Sequence, residues 1–216
     1  MILYSPINGE VFTSSIKYRP RSCFIMTQLG GNQLENLKEI RLAIRDFLTS
    51  INFREIDASS YVTGGDFLEK IWKQILTVPV GIAILTKEME ITTVANIFYE
   101  LGILDALGKE SIVVKSNNFQ IPSDFVRTEY VSFDENFQSS FKKFFDNVFE
   151  REEHYSLMSE LMRKDIVLSI DYLKRAYLIS GELKYKIEAE RLFVENKSNI
   201  DDQSKFMING FLKSKP

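Results

Sequence analysis

The sequence predicts an α/β fold: a doubly wound, five-stranded parallel sheet, followed by an all-helical appendage. Three observations carry this. Apolar runs of strand length alternate five times with segments of helical period, the signature of a parallel sheet covered by helices. The third run, VGIAILT, is apolar throughout, as a strand buried on both faces requires. After about residue 150 no further strand pattern appears, and apolar and charged residues recur only at helical spacing. The expected organisation is an N-terminal arm over residues 1–20, an α/β domain over 21–150 and a helical region over 151–216.

The elements follow in order. SPINGE, with Pro6 and the Asn8-Gly9 pair, is a turn within an arm of no strong period. SCFIMT is a first strand, and a glycine turn at QLGGN follows it. Leu34, Leu37, Ile40, Ile44 and Leu48 then mark a first helix, with Asn32 and Glu35 at capping-box spacing. FREID is a second strand and ASSYVTGG a loop. A second helix has Phe67, Leu68, Ile71 and Ile75 on one face, and Trp72 reads as a core residue beside them. VGIAILT is the third strand. Lys87 to Ala95 reads as a loop before the third helix, which lies within NIFYELGILDALGK. SIVVKS is the fourth strand, and a fifth falls near Glu129 to Phe133. A phenylalanine-rich fourth helix has Phe137, Phe141, Phe144, Phe145 and Phe149 at helical spacing. In the C-terminal region Gly181 breaks a long helical pattern, and a last helix spans Asp201 to Lys213. AYLISGELKYKIEAERLF is one helix-turn-helix unit, too little to count as a repeat.

Composition narrows the chemistry. The formal net charge is −3, so no nucleic-acid or anionic-membrane surface is expected. The longest apolar run, Val78 to Leu85, is too short to cross a bilayer. MILYSPINGE lacks the pattern of a signal peptide, and the single cysteine, Cys23, has no internal disulfide partner, so a cytoplasmic location is expected. One histidine and one cysteine give no ligand spacing, so no metal is expected. His154 sits in EREEHY, a solvated helix surface rather than a catalytic setting.

Doubly wound sheets bind ligands at the carboxyl ends of their strands. Thr27 and Gln28 end the first strand and are candidates to bind a base or ribose. Asp57 ends the second strand. Tyr61 is a candidate to stack on a base. Asp66 either contacts ligand or caps the second helix. Gly30-Gly31 before a helix suits a phosphate, although LGGNQ is not a dinucleotide fingerprint. The strongest candidate is Glu100, an acid among apolar residues. On a helix it shares a face with Asn96, four residues earlier, while Ile97, Leu101 and Leu104 form a separate apolar stripe. Gly102 reads as a place for close approach of another element. A carboxylate there suits cleavage of an N-glycosidic bond, because positive charge develops on the ribose as the bond breaks. The plain alternative is a solvent-facing helix glutamate.

NIFYELGILDALGKESIVV resembles the N-x-x-x-E-L-G … A-L-G-K motif of a superfamily that joins nucleoside 2-deoxyribosyltransferases and bacterial TIR-like NAD-cleaving domains. The resemblance covers about Ser22 to Phe149. It implies a sheet of the flavodoxin-like kind, a catalytic Glu100, and NAD as a substrate with no separate cofactor; Asn96, one turn away, is then placed to help orient the ribose. It also implies an effector of antiphage defence, assembled as a homo-oligomer or held by a regulatory partner through the helical C-terminal region. Two departures stand out. Ile84 falls where many relatives carry an acid near the end of the third strand, which weakens the deoxyribosyltransferase reading. The loop from Lys87 carries Glu88 and Glu90, whose charge opposes a phosphate. Two other functions follow from the same residues: hydrolysis or transfer at a nucleoside or nucleotide N-ribosyl bond, and a silent nucleotide-binding scaffold.

Overall fold

The computed structural model describes residues 9, 16–28, 35–57, 67–120 and 129–214. The chain divides into two compact units: residues 22–146, and residues 1–21 together with 147–216. Of the expected N-terminal arm, the described residues 16–20 fall in the same unit as the helical region. The boundary falls inside a helix, at Asp146/Asn147.

In the first unit five strands form one sheet: β1 (Ser22–Met26), β2 (Arg54–Asp57), β3 (Val80–Leu85), β4 (Glu110–Lys115) and β5 (Tyr130–Ser132). Every pairing is parallel, in the order β2-β1-β3-β4-β5. This is the doubly wound order with its switch point between β1 and β3. All residues of β1 and β3 are buried. That explains their unbroken apolar character, since no face is left for alternation.

Helices α1 (Glu35–Ser50), α2 (Phe67–Thr77), α3 (Ile91–Ala106) and the first part of α4 (Phe137–Leu161) cover the sheet. Alternation along the strands fixes which residues share a face. Gly81 faces α3: a Cβ there would stand 2.2 Å from Leu104 Cδ1 and 3.1 Å from Met26 Cε. Only glycine allows this approach. The opposite face meets α1, because Asp57, the register partner of Ile25, ion-pairs with Arg41 of that helix. The phenylalanines of α4 lock onto α1 there. Phe47 lies 5.0 Å from Phe141 and 5.4 Å from Phe145, ring centre to ring centre.

The second unit contains the rest of α4, α5 (Ile166–Ser180), α6 (Leu183–Asn196), a 3-10 turn (Lys197–Asn199) and α7 (Asp202–Lys213). Asp165 caps α5 by accepting from Leu168 N at 3.0 Å, and Asp201 caps α7 by accepting from Gln203 N and Ser204 N. Gly181 ends α5 at φ 75°, a left-handed cap that residues with a Cβ adopt at a cost. Leu173, Ala176, Tyr177, Ala189, Leu192 and Phe211 are buried between these helices. The N-terminal segment joins this core. Arg21 N donates to Leu178 O at 2.8 Å, and Tyr18 meets Phe211 edge-on at 5.7 Å. Among the described residues no helix is long and apolar enough to cross a membrane.

Candidate functional site

The site is built on the β3–α3 unit. Thr86 follows β3, Met89 N donates to Thr86 O at 3.2 Å, and α3 begins at Ile91. The helix thus starts five residues before Asn96, within the stretch that the sequence reads as a loop from Lys87 to Ala95. Ile91, Thr92, Thr93 and Val94 are β-branched and hide a helical start from propensity reasoning. Ile97, Leu101 and Leu104 are buried against the sheet, as their spacing requires.

Gly81 fixes the height of α3. Leu104 sits against Gly81 near the beginning of β3. Glu100 is one turn nearer the helix N-terminus, about 6 Å along the axis at 1.5 Å per residue. A strand rises about 3.3 Å per residue, so Glu100 stands roughly level with Ala83. Helix side chains lean toward the helix N-terminus, which carries the carboxylate toward the carboxyl end of β3. Lys109, just past α3, anchors the far end by donating to Leu76 O at 3.2 Å and to Val78 O.

Glu100 is half-buried, and no described residue forms an ion pair or hydrogen bond with its carboxylate. Burial raises its pKa from 4.5 to about 7. Such a group is roughly half ionised at neutral pH, where it serves equally as acid or base. Asn96 lies one turn above on the same flank and is exposed. Gly102 is also exposed. No heavy atom of a described residue lies within 4 Å of a Cβ built there, so the expected close approach of another element is not found.

The remaining candidates separate by face. Gln28 lies two residues past β1, beyond a bend at Thr27, and is half-buried. Thr27 and Asp57 belong to the α1 side. Asp57 accepts from Arg41 Nη2 at 2.8 Å, so its carboxylate has a structural partner. Thr27 is buried, and its hydroxyl has no hydrogen-bond partner among the described residues. Tyr61 and Asp66 lie outside the described residues, as do Gly30, Gly31 and Asn32.

Two further hydroxyls were not singled out by sequence. Thr86 and Ser116 directly follow the register pair Leu85–Lys115, and both side-chain oxygens are buried without a partner among the described residues. With Thr27 they put polar groups just past the ends of β1, β3 and β4. Their position immediately after the strands was the available signal. Unpartnered buried hydroxyls are costly, which makes this edge receptive to a polar ligand.

Cys23 is fully buried at the start of β1, and burial holds its thiol well above the usual range, so it is no nucleophile. His154 is exposed on α4. Among the described residues no group of three histidine, cysteine, aspartate or glutamate side chains is placed to hold a metal ion.

Comparison with known proteins finds no match: no family model fits the chain, and neither a curated protein nor a solved structure is significantly similar to it.

Proposed function

We propose that this chain hydrolyses the N-glycosidic bond between nicotinamide and ribose in NAD, with Glu100 as its catalytic residue. The observation that carries the reading is a half-buried carboxylate without a described partner, on the helix after the central strand β3 and leaning toward the carboxyl edge of the sheet. The likeness of NIFYELGILDALGK to the motif of TIR-like NAD-cleaving domains supports the same residue.

The chemistry follows from the charge. The bond from C1′ to the pyridinium nitrogen breaks with its electron pair going to nitrogen, so nicotinamide leaves neutral. The ribose gains the positive charge, which ionised Glu100 offsets. Water oxygen then bonds C1′ and releases a proton. A cationic substrate beside Glu100 favours the ionised carboxylate and lowers its pKa. Asn96 would orient a ribose hydroxyl from one turn above. The test is nicotinamide release from NAD by the intact protein, with Glu100→Gln as control. Full activity in that variant sinks the mechanism.

The raised pKa also favours a second reading, hydrolysis or transfer at a nucleoside N-ribosyl bond. A neutral base leaves best when protonated, and a carboxyl with a pKa of about 7 retains a proton to give. The two readings differ in sign. For NAD, kcat/KM, which reports the free enzyme, should rise with pH through about 7, whereas for proton donation to a base it should fall. Ligand binding without turnover of either substrate would leave a silent scaffold.

The helical unit would assemble copies of the chain. Leu183, Ile187 and Val194 form an exposed apolar stripe on α6. Beside it, Lys184, Glu188, Arg191 and Glu195 alternate in sign. These charges already pair within the chain, Arg191 with Glu188 and Glu195 and Lys184 with Glu182, so a second, antiparallel α6 would be held chiefly by the apolar stripe. Sedimentation of the wild type and of Ile187→Lys tests this: a dimer that persists in the variant removes α6 as the interface. An effector role in antiphage defence would appear as NAD depletion and arrested growth on expression, absent with Glu100→Gln.

A further inference from the structure

The rotation of α3 about its axis decides which strand Glu100 faces. Asp105 accepts from Ser111 Oγ at 2.7 Å, and Ser111 lies on β4 as the register partner of Gly81. Leu104 sits against Gly81 on β3, with Met26 of β1 alongside. At about 100° per residue, Asp105 and Glu100 fall on opposite sides of the buried stripe of Ile97, Leu101 and Leu104. The side with Asp105 is turned to β4. The side with Glu100 is therefore turned to β1, toward the switch point of the sheet.

Thr93 shares that flank, seven residues before Glu100 and three before Asn96. It stands two turns above Glu100, about 10 Å along the axis and roughly level with Thr86 at the end of β3. A helical threonine ordinarily gives its hydroxyl to a carbonyl three or four residues back. Thr93 is half-buried, yet its hydroxyl has no partner among the described residues. The Asn96 amide and the Glu100 carboxylate have none either. Three polar side chains thus stand in line on one flank, unused by the fold. Side chains lean toward the helix N-terminus, which brings the Asn96 amide up toward the Thr93 hydroxyl.

We propose that Asn96 and Thr93 together bind the 2′,3′-diol of the substrate's ribose, Asn96 at O2′ and Thr93 at O3′, and so select ribosides over deoxyribosides. The inference rests on the proposed place of Glu100 at C1′. The order along the flank then matches the order round the sugar: Glu100 at C1′, Asn96 next, Thr93 farthest. Both groups are neutral and can donate as well as accept, which suits hydroxyls. A phosphate in the same place would meet the charges of Glu88 and Glu90, both exposed just before α3.

The test is ligand-detected NMR on the full chain with methyl β-D-ribofuranoside and its 2-deoxy and 3-deoxy forms, none of which has a base to lose. The ribofuranoside should bind at least about tenfold more tightly than either deoxy form. Thr93→Val should erase the advantage over the 3-deoxy form and keep that over the 2-deoxy form, and Thr93→Ser should keep both. Equal binding of the three sugars overturns the proposal. So does a 3-deoxy penalty that survives Thr93→Val, or no binding of the ribofuranoside at tens of millimolar. If NAD is untouched while these preferences hold, the hydrolysis falls and the diol site stands. Nicotinamide release that needs Glu100, without any preference among the sugars, does the reverse. If a variant does not fold, the wild-type comparison of the three sugars decides alone.

Discussion

Each unit holds a partly buried acid on a helix, and the two are treated in opposite ways. Burial acts on both and favours their neutral forms. At Asp171 the Lys174 and Arg175 charges outweigh burial and hold the carboxyl well below the usual range. At Glu100 nothing described opposes burial, and the pKa rises to about 7. A paired acid stabilises the fold that pairs it. An unpaired one is kept at the expense of stability, as functional carboxylates are.

The sharpest way to break this contrast is Glu100→Gln. Nicotinamide release should fall by about a hundredfold or more. Stability should move the other way. The folded pKa of Glu100 lies above its unfolded value, so the folded state binds more protons between pH 4.5 and about 7, and wild-type stability declines across that window. The rise from 4.5 to about 7 corresponds to about 3 kcal/mol. Denaturant melts from pH 4 to 8 should show the decline in wild type and a flatter profile in the variant.

Asp171→Asn should do the reverse, leaving two cations without their carboxylate and destabilising the helical unit by about 3 kcal/mol. The Asp171 contribution is fully present above the usual aspartate pKa and is lost as pH falls below it, so this variant should flatten the acid side of the stability curve. A change confined to the range above pH 5 would break the contrast.

Gly81→Ala tests whether the height of α3 matters to Glu100. Its Cβ would meet Leu104 Cδ1, and the overlap should cost about 1–3 kcal/mol and lower kcat before KM. Unchanged kinetics would separate the glycine from the site. The smallest effect on activity is expected for Asp57→Asn, which breaks the Arg41 pair but leaves Glu55, 3.8 Å from Arg41, to offset part of its charge, with activity kept. A large loss of activity there would place the α1 side of the sheet in the site after all.

Much of the sheet unit was legible because its signals are local. VGIAILT names a strand buried on both faces, and Ile97, Leu101 and Leu104 name the face of α3 that packs. Glu100 stood out for a similar reason, as an acid beside that stripe. The start of α3 was hidden because Ile91 to Val94 favour extended backbone by themselves, and tertiary packing overrides them. The extent of α4 was obscured differently. Its phenylalanines end at Phe149, and the charged turns beyond belong to the same helix, which runs to Leu161. The grouping of Tyr18 and Arg21 with the helical unit rests on contacts to Phe211 and Leu178, which no local pattern encodes. Nor does sequence say that Asp57 is matched by Arg41 while Glu100 has no such match. Pairing is set by which helix lands on which face.

The grouping of residues 1–21 with 147–216 makes the α/β unit an insertion within the helical one. During synthesis the sheet, α1 to α3 and the first part of α4 are complete once residue 146 has emerged. Tyr18 and Arg21, made before all of them, must wait for Leu178 and Phe211 near the other end of the chain. A chain cut short after residue 146 would keep its sheet and lose the partners of both ends of the helical unit at once. Deletions from the C-terminus and from the N-terminus should therefore converge on one phenotype: an α/β unit that folds by itself, with its helical host undone.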